Sequence, residues 1–197
     1  MNFQASWDGI PDDSKGVVIG YLDYKTRCNL RKCSKTSRPL VDSCPLHLAK
    51  LALVIDTLHV RIHILATNDW PVFIHYHKHQ MGTQLKIITR DTLREKTLES
   101  KHFLRVALCD FEILARNRKL NVDFIAITCK EGWYLEQLKA MMGRTPGKMV
   151  CKKFWFTGET DHSAEFRKWI DAGQVKYHKE MSLEQIIANS NAAMDSL

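Results

Sequence analysis

Between Thr57 and Leu65 the chain alternates, with Leu58, Val60, Ile62 and Ile64 on one side and His59, Arg61 and His63 on the other. A period of two is the mark of a half-buried β-strand, because successive side chains leave a strand on opposite faces. From Leu98 the period changes. Leu104, Leu108, Phe111 and Ala115 recur at the spacing of one helix face. A chain that holds both periods is predicted to be α+β. Further strands are expected at Val72–Lys78 and Gln84–Thr89, around a Met81-Gly82 turn, with Asn68-Asp69 and Pro71 supplying the turn before them. Val122–Ile127 and Met149–Phe156 read as strands, and Val175–Tyr177 as a short one. Leu135, Leu138 and Met142 mark a second helix. Phe166, Trp169 and Ile170 mark a third, ending at Gly173 as a C-cap. Ser182-Leu183-Glu184-Gln185 has the capping-box pattern that opens a final helix, and the tail from Asn189 is polar. Alternating helices and strands from about residue 100 favour parallel pairing, with helices on one face.

The first forty residues read differently. Trp7, Ile10 and Pro11 precede Asp12-Asp13-Ser14, a proline and an acidic pair suited to a helix start. Val17, Val18, Tyr21 and Leu22 form one face of a short helix that Gly16 weakens. Asp23-Tyr24 reads as a turn. A second helix carries Cys28, Leu30 and Cys33, and a third runs from near Ser34 to Leu40-Val41-Asp42. Pro39 is misplaced in that third helix unless the helix begins near Arg38. Such a unit has too few apolar residues for a strong core and is expected to lean on a neighbour or a partner. Cys44-Pro45 marks its end, and the amphipathic stretch 46–55 is expected to link it to the strands and helices beyond.

The residues of this first unit resemble an F-box. Ile10-Pro11, Ile19, Tyr21-Leu22-Asp23, Arg27, Leu30-Arg31, Cys33-Ser34-Lys35, Arg38 and Leu40-Val41-Asp42 stand at that family's spacing, over Trp7 to about Ser43. The resemblance implies docking onto the Skp linker protein of cullin-based ubiquitin ligases. Ile10, Pro11, Val18, Leu22 and Leu30 are the expected contacts, with Cys33 and Leu40 behind them. The competing reading is that these residues fill the unit's own core.

The later residues resemble the FTH (DUF38-like) domain that follows the F-box in a group of nematode proteins. The likeness rests on Phe73-Ile74-His75-Tyr76-His77-Lys78-His79 with Gly82, on Asp110-Phe111-Glu112-Ile113-Leu114, and on Leu135 and Leu138 before Val150, Lys153 and Phe154. The implied division is an F-box at 7–45, a linker at 46–55, an FTH-like substrate-recognition domain at 56–189 and a tail at 190–197. The implied function is that of a non-catalytic, intracellular adaptor, cytoplasmic or nuclear, with an unknown target protein and no cofactor.

Composition narrows the alternatives. The chain has 197 residues, 45% of them hydrophobic, which suits a folded protein rather than a disordered one. No apolar run reaches the ~20 residues that span a bilayer, and Met1–Asp8 lacks the basic start and apolar stretch of a secretory leader. Six cysteines form no CxxC pair, so free and mostly buried thiols are expected. The formal charge of +7 helps any anionic partner. It is spread along the chain without a dense Lys/Arg block, an RNP-like motif or zinc-finger spacing, so a basic nucleic-acid-binding or other interaction module without a ligase role stands only as the alternative. No P-loop, GxGxxG or RING spacing is present, and no context marks one cysteine as a nucleophile. His75, His77 and His79 share one strand face and could chelate a metal. The plainer reading is an exposed polar face opposite Phe73, Ile74 and Tyr76. Asp161-His162-Ser163 reads as a loop rather than a triad. Trp70, Trp133, Trp155 and Trp169 all suit a core better than a ligand platform, and Trp70 and Trp133, read as loop residues, are the better interface candidates.

Overall fold

The computed structural model describes residues 7–67, 70–117 and 119–179. The Asn68-Asp69 turn, the final helix from Ser182 and the polar tail lie outside the described residues. Three helices come first: α1 (Asp12–Tyr21), α2 (Tyr24–Cys33) and α3 (Ser37–Ser43), after a single 3-10 turn at Trp7–Gly9. Pro11 occupies the N-cap of α1 with an extended ψ, and Asp12 and Asp13 fill the first turn, where carboxylates meet free N–H groups. Asp23 caps α2: its carboxylate accepts from Thr26 N at 2.6 Å and from Thr26 Oγ1 at 2.7 Å. Because α3 begins at Ser37, Pro39 is its third residue, where no intrahelical N–H bond is lost.

The rest builds one eight-stranded sheet of order β5-β4-β3-β2-β1-β6-β7-β8. Its strands are β1 (Leu46–Ile55), β2 (His59–Ala66), β3 (Val72–His79), β4 (Gly82–Ile88), β5 (Leu93–Glu99), β6 (Leu120–Cys129), β7 (Met149–Gly158) and β8 (Ile170–Lys179). Strands β1 to β5 form an antiparallel meander, and β6, β7 and β8 add parallel to β1. The helices α4 (Phe103–Ala115), α5 (Gly132–Arg144) and α6 (Ser163–Phe166) precede β6, β7 and β8 in turn. The architecture is therefore the expected α+β one. The core lies between these helices and one face of the sheet: Phe103, Leu104, Ala107 and Phe111 of α4 and Leu135 and Leu138 of α5 pack with Leu51, Leu53, Ile62, Ile64, Ile125, Ile127, Phe154 and Phe156.

Three readings need correction, and one strand has no clear signal in the sequence. Residues 46–55 are not a linker. They form β1, the strand on which the meander and the parallel half meet, and their buried run Leu51–Ile55 fits a strand covered on both sides by other strands. The helix expected over Phe166–Ile170 is the single turn α6. Ile170 instead opens β8, paired with Met149, and Gly173 is a strand residue where a Cβ would meet Lys152 O at 3.1 Å. Core burial of Ile170 and a parallel ladder outweigh helical spacing there. The sequence Leu93–Glu99 shows no apolar alternation, yet it forms the edge strand β5, whose exposed charged side chains are typical of a sheet edge. Finally, Phe73 shares the histidine face of β3 rather than opposing it, while Ile74 and Tyr76 face the core.

Candidate functional site

The three N-terminal helices enclose a core of only Ile19, Val41 and Cys44, with Trp7, Leu22, Leu30 and Leu40 packed around it. That core is too small to occupy the apolar surface of α1. Val17 is 61% exposed, Val18 44% and Tyr21 88%. The helix therefore turns Ile19 inward and presents its Val17–Val18–Tyr21 side to solvent, the reverse of a helix whose 17-18-21-22 stripe feeds a core. Pro11 at the start of α1 and Cys33 at the end of α2 are exposed as well, and Ile10 is half-buried.

The seven expected contact residues thus fall into two sets. Pro11, Val18 and Cys33 stand on the surface, with Ile10 partly so. Leu22, Leu30 and Leu40 are half-buried and brace the small core. Sequence reasoning passed over Val17 and Tyr21 as outward groups. Their spacing of four residues was the available signal.

It also gave no role to Arg27. This guanidinium is buried and donates to three backbone carbonyls: Nε to Leu22 O at 3.0 Å, Nη1 to Pro45 O at 2.6 Å and Nη2 to Gly20 O at 2.9 Å. It ties the end of α1 to the chain entering β1, and burial pulls its pKa down. Beside it, Arg31 Nε pairs with Asp42 at 2.7 Å, joining α2 to α3. The helical unit meets the sheet domain through Tyr24, which packs on the main core, and through Asn117 Nδ2, which donates to Cys44 O at 3.5 Å. Tyr24 is pushed well above its ordinary pKa by burial and by neighbouring Cys28.

The other chemical candidates resolve into structure. His79 Nδ1 accepts from Met81 N at 3.3 Å within the hairpin turn, whereas His75 and His77 neighbour His63 and His59 across β2. No cluster of three or more metal-ligating side chains occurs among the described residues. Asp161 accepts from Ser163 N at 2.8 Å, and His162 bonds Thr160 at 2.7 Å rather than the serine, so the string is a helix lead-in. Cys44, Cys129 and Cys151 are buried, Cys28 is half-buried, and Cys33 and Cys109 are exposed. Burial pushes Cys129 and Cys151 up to about 12, which keeps both as poorly nucleophilic thiols. Trp70 and Trp133 are exposed, the latter in the first turn of α5 rather than on a loop. No helix among the described residues is long and apolar enough to cross a membrane.

The helical unit thus combines an exposed apolar face on α1 with a core of three buried residues. Residues 7–49, which hold these three helices, match the F-box domain. An uncharacterised F-box protein of Caenorhabditis elegans is 34% identical over 64 residues, which cover 32% of this chain and 16% of that protein. The similarity thus spans about a sixth of that relative's length. No solved structure matches the chain.

Proposed function

We propose that this protein is a non-catalytic substrate-recognition adaptor of an SCF-type ubiquitin ligase, working inside the cell. The F-box holds the Skp linker, and through it the cullin-based ligase. The sheet domain, which we read as FTH-like, holds a target protein. Catalysis is by proximity: tethering raises the local concentration of target lysines near the ubiquitin donor. The observation that carries the reading is the outward apolar set Pro11, Val17, Val18 and Tyr21 above a core of three buried residues. An apolar patch of this kind on a helix face is the expected anchor of a helix-face interface. Ile10, Leu22, Leu30, Cys33 and Leu40 complete the proposed contact surface, with the leucines serving both core and interface.

The test is capture by purified Skp linker. Wild type is expected to be retained, and Pro11→Ala combined with Val18→Glu to be lost while its circular dichroism and melting are unchanged. Equal retention of both proteins would refute the assignment.

A further inference from the structure

Helices α4 and α5 lead into the parallel neighbours β6 and β7, so they run in the same direction, side by side over the sheet. They do not close on each other completely. A cavity of about 310 Å³ lies between them, walled by Arg105, Cys109 and Glu112 of α4 and by Gln137, Ala140 and Arg144 of α5. Its floor is Leu108 and Met141, both buried. Ala140 brings only a methyl group to the wall, so the space that a larger side chain would fill stays open. Arg105, Cys109, Ala140 and Arg144 are exposed, and Glu112 and Gln137 are half-buried. The cavity is therefore a groove that solvent reaches.

The charges of this groove are not balanced within it. Its carboxylate, Glu112, is engaged by Arg116 at 2.8 Å. Arg105 and Arg144 have no carboxylate partner among the described residues, and the Gln137 amide makes no hydrogen bond among them. Arg105 is also at the wrong end of its helix for stability. It stands in the first turn of α4, where free N–H groups favour a carboxylate, and no acidic residue occupies that turn. Its guanidinium adds to the positive end of the helix dipole instead of offsetting it. Arg144 stands in the last turn of α5, at the groove's other end. The two cations are separated along the helix axes by about seven residues of rise, or ~10 Å. An extended segment covers that distance in about three residues.

We propose that the α4–α5 groove is a docking site for an extended acidic segment of a target protein. One apolar side chain enters beside Ala140 onto Leu108 and Met141, and carboxylates on either side of it pair with Arg105 and Arg144. The Gln137 amide is placed to bond the segment's backbone. The proposal rests on the adaptor reading and specifies where the target is held. It also couples the two ends of the molecule. Ile113, Leu114 and Asn117, in the next turn of α4, line the joint with Tyr24, Arg27 and Cys28 of the helical unit. Target groove and ligase-side joint thus follow each other along one helix. A single-stranded nucleic acid fits less well, because no aromatic ring lines the groove for a base to stack on. A small organic anion would lie largely in water here, whereas ligand pockets enclose most of the molecule they bind.

The test uses the full chain and two probes: a short fluorescein-labelled peptide with one Leu between two Glu in a Gly-Ser background, and a single-stranded oligonucleotide of similar length. Peptide binding is expected, and Arg105→Glu with Arg144→Glu should weaken it by about tenfold. Ala140→Trp fills the groove without touching its charge and should weaken binding as much. All three positions are exposed, so the fold is not at risk, and circular dichroism should match wild type. Cys109 and Cys33 are both exposed, the first in the groove and the second on the helical unit. Bound peptide should protect Cys109 from iodoacetamide and leave Cys33 reactive. Skp-linker capture by the variants should match wild type. Peptide binding without Skp capture leaves the groove standing and removes the adaptor reading. Capture without peptide binding, or peptide binding that leaves Cys109 reactive, overturns the groove. Tighter binding of the oligonucleotide overturns the choice of partner. Peptide binding that emerges only when residues 180–197 are deleted also overturns it, making that segment, with Glu180, Glu184 and Asp195 and no Lys or Arg, the occupant.

Discussion

Single residues here do work that their types alone do not announce. Arg27 is the clearest case, because one side chain satisfies three carbonyls at the joint between the helical unit and the sheet. Arg27→Ala leaves those carbonyls without their partner and should lower stability by about 2–3 kcal/mol in urea titration, with Skp-linker capture falling in parallel. Arg27→Lys should recover only part, since an ammonium lacks the planar fork. At Gly82, φ is +143° and a Cβ would sit 2.2 Å from Leu98 O, so Gly82→Ala should destabilise by more than about 2 kcal/mol. A variant that unfolds at the wild-type midpoint would show that the turn yields freely.

His63 and His75 are a third case. Burial first holds both down at about 4, helped at His63 by His75, Arg61 and Lys50 and at His75 by Arg61, His77, His59 and Lys86. Their ordinary value is 6.5, so between pH 6.5 and 4 the unfolded chain takes up protons that the folded chain refuses. Stability contributed by the neutral rings is complete above pH 6.5 and falls as the pH drops towards 4. The urea midpoint of wild type should decline over that window, and His63→Gln with His75→Gln should flatten the decline. An unchanged slope would show that the rings titrate normally.

At the scale of elements, position within an element decides the effect of a residue. Pro39 is a helix breaker in composition but a first-turn residue in fact, so Pro39→Ala should shift stability by less than about 1 kcal/mol. Thermal melts that separate by about ten degrees or more, against the roughly 2–8 °C that 1 kcal/mol produces, would place the proline inside the hydrogen-bonded ladder instead. Strand β5 shows the opposite dependence. Its Arg94, Glu95 and Lys96 are exposed and keep an open sheet edge charged. Glu95→Val with Lys96→Val should leave the fold intact and drive self-association, visible as higher-mass species in size-exclusion chromatography. A monomer at the same concentration would indicate that the edge is protected by other means.

For the whole molecule, one face of the sheet is closed by α4, α5 and α6, and that side joins the helical unit through Tyr24 and Asn117. Much of this was legible in the sequence. The period-two run at Leu58–Ile64, the helical run at Leu104–Ala115 and the punctuation at Pro11, Asp23 and Gly82 set the type of most elements, because burial on one side, capping and turn chemistry act within a few residues. The F-box pattern was legible for the same reason, its spacing being that of short helices. What sequence could not settle was every choice made between distant segments: that residues 46–55 form the strand between meander and parallel half, that Ile170 belongs to a strand, and that Ile19 rather than Val17 and Tyr21 turns inward. Those outcomes depend on which surfaces are buried against one another. Pairing and packing compare segments far apart in the chain, and no local pattern carries that comparison.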